Sequence, residues 1–139
     1  MINKVKLISF FVLITMSNVF AQKLIHPIDI KNKECHENSI PTTLSAIKCE
    51  NEALVSWNVE MSNYFKTLKE KGKQFDLGLL EKSQKKWAEY YKADLALQYS
   101  YLDKLFDGGT MSRVVKLTYR KEATRKRALE LKDFLDKLE

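Results

Sequence analysis

The sequence predicts an all-α protein: an elongated antiparallel three-helix bundle with an irregular, disulfide-pinned N-terminal segment. Three observations predict it. No stretch alternates apolar and polar residues for long enough to make a sheet. Three long stretches instead repeat apolar residues at three- and four-residue spacing. Only short breaks, near 71–76 and 107–110, separate them, and short connections favour antiparallel neighbours. Helices of about 28 residues would each be about 42 Å long at 1.5 Å per residue.

The elements follow in chain order. Lys4 and Lys6 precede an apolar run from Leu7 to Met16, and SNVFA then ends on the small residue Ala21. A charged start, an apolar run of about ten residues and a small residue at the cut read as a secretory signal peptide. This divides the chain into a signal peptide, 1–21, and a single helical domain, 22–139. The run is too short to cross a bilayer, which needs about 20 apolar residues. The first cysteine is Cys35, away from the cut, so no lipid anchor is expected. The chain is basic, with 24 Lys and Arg against 18 Asp and Glu and a formal charge of +6. The leader carries two lysines and no acid, so its loss lowers +6 by two, to +4. That excess favours acidic partners.

The segment 22–41 has no sustained period and contains both prolines, Pro27 and Pro41, so it is expected to be irregular. Cys35 and Cys49 are the only cysteines. In an exported chain such a pair is more often a disulfide than a metal site. The bridge would close a loop of about 15 residues, worth about 3 kcal/mol in the chain-entropy model. A zinc site built from Cys35, His36 and Cys49 lacks a fourth ligand and the usual spacing. No metal or cofactor is expected.

The first long helix is expected from Thr42 to Lys71, with a seam of Leu44, Ile47, Leu54, Met61, Phe65 and Leu68. Asn51 and Asn58 occupy the intervening seam positions. Gly72 is the expected stop, in a left-handed cap. The second helix starts near Asp76, a good N-cap residue, and runs to about Phe106. Leu80, Trp87, Tyr91, Leu95, Leu102 and Leu105 mark its apolar side, and Gly108-Gly109 ends it. The third begins near Thr110 or Ser112, with a seam of Val114, Leu117, Thr124, Ala128, Leu131, Leu135 and Leu138.

The stretch SQKKWAEYYKADL, 83–95, sets aromatic residues among lysines and acids. Trp87, Tyr91 and Leu95 at helical spacing read as core packing. Buried aromatic N–H and O–H groups need polar partners, for which Gln84, Asp94 and Thr124 are candidates. Tyr90, Gln98 and Tyr101 form a candidate partner-binding edge, since aromatic residues are favoured anchors. The basic run RKEATRKR, 120–127, reads as a solvated helix face, as does the pair Glu50 and Glu52. Glu122 interrupts the run, and export argues against nucleic acid as a partner. No catalytic residues are indicated. The only histidines are His26 and His36, and there is no His-Glu-x-x-His motif or phosphate-binding glycine loop.

Four motifs stand in order along the chain. They are Cys35, Thr42-Thr43 and Cys49; Leu80, Gln84, Trp87 and Tyr90; Gly108, Gly109 and Thr110; and Thr124, Arg127, Glu130 and Leu131. In order and spacing they resemble the N-terminal domain of LprI-type lysozyme inhibitors, a family of small exported bacterial helical domains. The resemblance covers about Cys35 to Leu131. Many members of that family carry Asp-x-x-Leu-Asn-x-x-Tyr in the first helix, where this chain has Asn58, Met61, Ser62 and Phe65. Many also carry two further cysteines, at positions occupied here by Leu95 and Tyr119. An apolar Leu95–Tyr119 contact is expected to replace that bridge.

The resemblance implies a non-enzymatic binding protein, periplasmic or extracellular, that inhibits lysozyme by steric occlusion of the glycan cleft. The competing reading is a structural or adaptor protein of the cell envelope that engages another envelope or host protein. Charge bears on the choice. Many animal lysozymes are strongly basic, so a basic inhibitor is repelled on approach unless it carries a local acidic patch. Glu50, Glu52, Glu60, Asp103 and Asp107 are the candidates for one.

Overall fold

A computed structural model describes residues 25–138, so the expected signal peptide lies outside the described residues. The described residues form four helices and no strands: α1 (Pro27–Asn38), α2 (Thr43–Glu70), α3 (Leu77–Leu105) and α4 (Thr110–Asp136). The all-helical class and the three long helices stand as expected. The count of three does not, because α1 replaces the expected irregular segment. Its signal is capping rather than periodicity. His26 accepts the Ile28 N–H through Nδ1 at 3.3 Å, Pro27 occupies the first turn and Asp29 favours the helix N-terminus. None of its 12 residues is buried, so no apolar face announced it. A helix this short is marginal alone and needs tertiary contacts to persist.

Those contacts come from α2 and α4. The disulfide Cys35–Cys49 joins α1 to α2 with Cα atoms 5.7 Å apart, as the cysteine count predicted. His26 lies against Trp57 and Tyr64, while His36 lies against Glu50, so α1 runs antiparallel to α2.

Thr42 and Ser45 form a reciprocal capping box that starts α2. The seam of α2 is turned from the one expected. Leu44 is 76% exposed and Asn51 and Asn58 face solvent, whereas Glu50, Ala53, Leu54, Trp57 and Leu68 are buried. The series 47, 50, 54, 57, 61, 65, 68 satisfies the same three-four spacing as the expected one. Two asparagines are replaced in it by Glu50 and Trp57.

Gly72 follows α2 without a left-handed conformation. Its role is close approach, because a Cβ there would lie 2.5 Å from Leu77 Cδ1. Asp76 caps α3, accepting the Leu79 N–H at 3.1 Å. Left-handed backbone occurs instead after α3, at Asp107 (φ 49°) and Gly108 (φ 66°). Gly109 then leads into α4.

α2 and α4 run parallel and share the largest interface, with α3 as the antiparallel return between them. Leu68, Leu80 and Leu131 form the apolar centre at one end, surrounded by Met61, Phe65, Phe75 and Leu135. Thr124 and Ala128 continue the buried line of α4, as their seam predicted. α3 is held more loosely. Of its 29 residues only Leu80 and Leu102 are buried.

Candidate protein-docking site

The motif residues of α3 and α4 meet around Arg127. Its Nε donates to Gln84 Oε1 at 2.9 Å, one terminal nitrogen donates to Ser83 Oγ at 3.1 Å and the other to Glu130 at 3.2 Å. The guanidinium lies over Trp87, 6.0 Å from the ring centre. Leu80 and Leu131 pack beneath. Arg127 thus satisfies a carboxylate and also joins the two helices. Gln84 binds Arg127 rather than an aromatic hydroxyl or indole. Thr124, expected as a polar partner of the aromatic stripe, is buried in the α2–α4 interface.

Beyond this clasp α3 and α4 separate into a groove of about 390 Å³. Trp87 and Tyr91 form one wall, stacked with ring centres 4.9 Å apart and planes 10° apart. Both are partly exposed, so the expected stripe is only half core. The Tyr119 hydroxyl donates across the groove to Asp94 Oδ2. That bond, with burial, pushes the Tyr119 hydroxyl up to about 12. The side-chain bond of Tyr119 therefore goes to Asp94, the neighbour of Leu95, so α3 and α4 are joined here by a polar contact. Tyr90 lines the same groove and is 68% exposed. Tyr101 is 58% exposed farther along α3, and Gln98 is partly buried.

The opposite flank of α4 is closed. Glu50, expected on a solvated face, is buried between Lys121 Nζ at 2.9 Å and His36 Nε2 at 2.8 Å. Burial raises its carboxyl, but the bonds to Lys121 and His36 outweigh this and hold it below the usual carboxylate range. Lys121, itself buried, also donates to Asn32 at 3.1 Å. Arg125 grips Asp29 at 2.7 Å and lies over Trp57. The basic run is therefore not a solvated face. Lys121, Arg125 and Arg127 are drawn inward, and Arg120, Lys126 and Glu122 remain exposed.

Trp57 is the residue that sequence reading missed. It is fully buried, at 0% exposure, against His26 and Arg125. The signal was present: Trp57 lies three residues after Leu54 and four before Met61. The expected acidic patch is likewise displaced. Glu50 is buried, Glu60 sits 3.8 Å from His26, and Asp103 pairs with Lys116 at 2.5 Å. Among the described residues no group of three or more His, Cys, Asp or Glu side chains is placed to hold a metal ion, and both cysteines are in the disulfide.

The Gly108-Gly109-Thr110 motif is the α3–α4 turn, closed by Gly109 N–H to Phe106 O at 2.9 Å. The family model described as "Lysozyme inhibitor LprI" matches residues 35–131, from the first half-cystine to the end of the Arg127 clasp. No curated protein and no solved structure matches the chain. No helix among the described residues is long and apolar enough to cross a membrane. The family match spans most of the chain and takes in all four motifs, and on that ground the chain belongs to the LprI lysozyme inhibitor family.

Proposed function

We propose that this protein is an exported, non-enzymatic binding protein of the bacterial envelope that inhibits a lysozyme by covering its glycan cleft. The observation that carries this reading is the family match over 35–131. The fold supports it physically. Parallel α2 and α4, with α1 tied on by a disulfide, make a stiff platform. On that platform α3 presents Tyr90 and Tyr101, aromatic side chains suited to anchor a protein interface. Such inhibition is steric and stoichiometric and needs no reacting group.

Residues 22–139, titrated against c-, g- and i-type lysozymes, are expected to abolish the activity of at least one at about equimolar ratio. Full residual activity of all three types at high molar excess sinks this reading. The signal peptide belongs to the proposal and predicts a mature protein beginning at Gln22, which intact-mass measurement after export checks. Net charge favours a second reading, an envelope adaptor, because a basic chain approaches basic lysozymes against repulsion. Co-sedimentation with peptidoglycan or membranes without loss of lysozyme activity would mark that alternative.

A further inference from the structure

The inhibitor reading needs a surface that overcomes the repulsion between two basic proteins. Of the carboxylates first considered, Glu52 and Asp107 stay exposed but lie on different elements, α2 and the α3–α4 turn, and Glu60 sits 3.8 Å from His26. Glu50 is buried against Lys121, and Asp103 is paired with Lys116.

The α3–α4 groove is built differently. Three carboxylates line it, Asp94, Glu122 and Glu130, against one lining cation, Lys126. Arg127 pairs with Glu130 at 3.2 Å, whereas Lys121 and Arg125, 3.3 and 3.9 Å from Glu122, are already shared with Glu50 and Asp29, so Asp94 and Glu122 carry the groove's excess negative charge. Lys126 makes no ion pair among the described residues, so it does not neutralise a particular acid. Tyr119 holds Asp94 by a bond to one oxygen and leaves the other, Oδ1, free to accept. Trp87 already has ring and cation neighbours, stacked on Tyr91 and with the Arg127 guanidinium 6.0 Å from its ring centre. Tyr90 is different: it is exposed and has no ring or cation contact among the described residues. Elsewhere the protein repeatedly sets a cation over an aromatic ring, with Lys69 on Phe65, Lys116 on Tyr99, Arg125 on Trp57 and Arg127 on Trp87. A cation held over Tyr90 between carboxylates would gain both cation–π attraction and ion pairing.

We infer that the α3–α4 groove is the partner-docking site and that it receives an arginine or lysine side chain projecting from a basic protein. This rests on the inhibitor reading for the identity of the partner, but the cationic chemistry of the groove stands on its own geometry. Locally the groove is acidic and aromatic on a chain that is basic overall. Net repulsion then slows encounter while the groove fixes orientation once contact is made.

The test uses two probes and the processed protein from an exporting host. Tri-arginine and tri-glutamate peptides are titrated while the NMR signals of Trp87, Tyr90 and Tyr119 are followed. In parallel, binding to an inhibited lysozyme is measured by surface plasmon resonance. Tri-arginine is expected to shift the groove signals and tri-glutamate to leave them in place. The double variant Tyr90→Ala/Glu122→Lys is expected to weaken lysozyme binding at least about tenfold, as loss of an anchor and its charge partner does. Lys126→Gln removes the internal cation and is expected to tighten binding about two- to fivefold, an effect that salt reduces. Glu34→Lys, at an exposed position of α1 away from the groove, serves as the control and should change binding less than about twofold. Circular dichroism confirms that each variant is folded. Unchanged lysozyme affinity in the double variant overturns the inference and leaves the inhibitor reading intact. Groove shifts with tri-arginine but no binding to any lysozyme uphold the cationic groove and overturn the inhibitor reading. Preference for tri-glutamate overturns the groove assignment outright.

Discussion

The two flanks of α4 carry the same kinds of residue and do opposite things. Toward α1, Lys121 and Arg125 are enclosed with Glu50 and Asp29, and Trp57 is sealed behind them. Toward α3, Arg127 and Tyr119 cross to Gln84 and Asp94 but leave a groove of about 390 Å³ beside Tyr90. The difference teaches that a basic run on a helix does not define its own environment. A neighbour tied down by a disulfide closes one flank. A neighbour secured by two buried leucines, Leu80 and Leu102, leaves the other open. The closed flank should therefore dominate stability and the open flank should dominate recognition.

The largest expected effect breaks the closed flank. Lys121→Met leaves the buried Glu50 carboxylate with His36 alone, and removal of one partner of a buried pair costs about 3–5 kcal/mol. Urea unfolding at pH 7 measures it. A loss below about 1 kcal/mol would mean that Glu50 is hydrated and the flank is not sealed. The pH dependence sharpens the point. The Glu50 carboxyl is held below its ordinary value in the folded protein, so its stabilising contribution is present above the unfolded value of about 4.3 and is lost as pH falls through the folded value. In Lys121→Met the penalty should be greatest at neutral pH and shrink as acid neutralises Glu50.

Next comes the tether. Cys35→Ser/Cys49→Ser frees a loop with a sequence separation of 14 and should cost about 3 kcal/mol. Because α1 buries none of its own residues, hydrogen exchange in α1 should rise more than in α2 or α4. Uniform exchange across the helices would show that the polar contacts alone hold α1.

On the open flank Arg127→Ala removes three hydrogen bonds and the cation over Trp87, with an expected cost of about 2 kcal/mol. Trp87 emission should shift to the red. Arg127→Lys should recover only part of the loss, because an ammonium does not reproduce the planar fork. The smallest effect belongs to Tyr90→Ala, within about 0.5 kcal/mol of wild type for an exposed side chain. A larger change in its melting midpoint would place Tyr90 in the framework rather than at the edge.

Much of this architecture was legible before any coordinates. Asp76, Gly108-Gly109 and the α4 seam placed two helices nearly to the residue, because caps and glycine turns act over a few neighbouring residues. The α2 seam was legible only up to a rotation. Leu54, Met61, Phe65 and Leu68 belong to both candidate faces, and the choice between Asn51 with Asn58 and Glu50 with Trp57 turns on the partners available. A glutamate is a poor core residue until Lys121 and His36 arrive from elsewhere in the chain. The groove was half legible. Tyr90 was marked as an edge residue and Asp94, one turn on, as a polar partner of the aromatic stretch, but Glu122 had no reason to be grouped with them until α4 lay alongside α3.

The sequence by itself determined the three long helices, the Asp76 cap, the glycine turn before α4, the single disulfide and the family, since each follows from periodicity, local backbone preference or ordered motifs. Only the tertiary structure decided which tryptophan is sealed, which charges go inside and where a groove opens. Those outcomes depend on the free energy of bringing distant groups together, and a lysine is buried or solvated according to whether a carboxylate far away in the chain meets it.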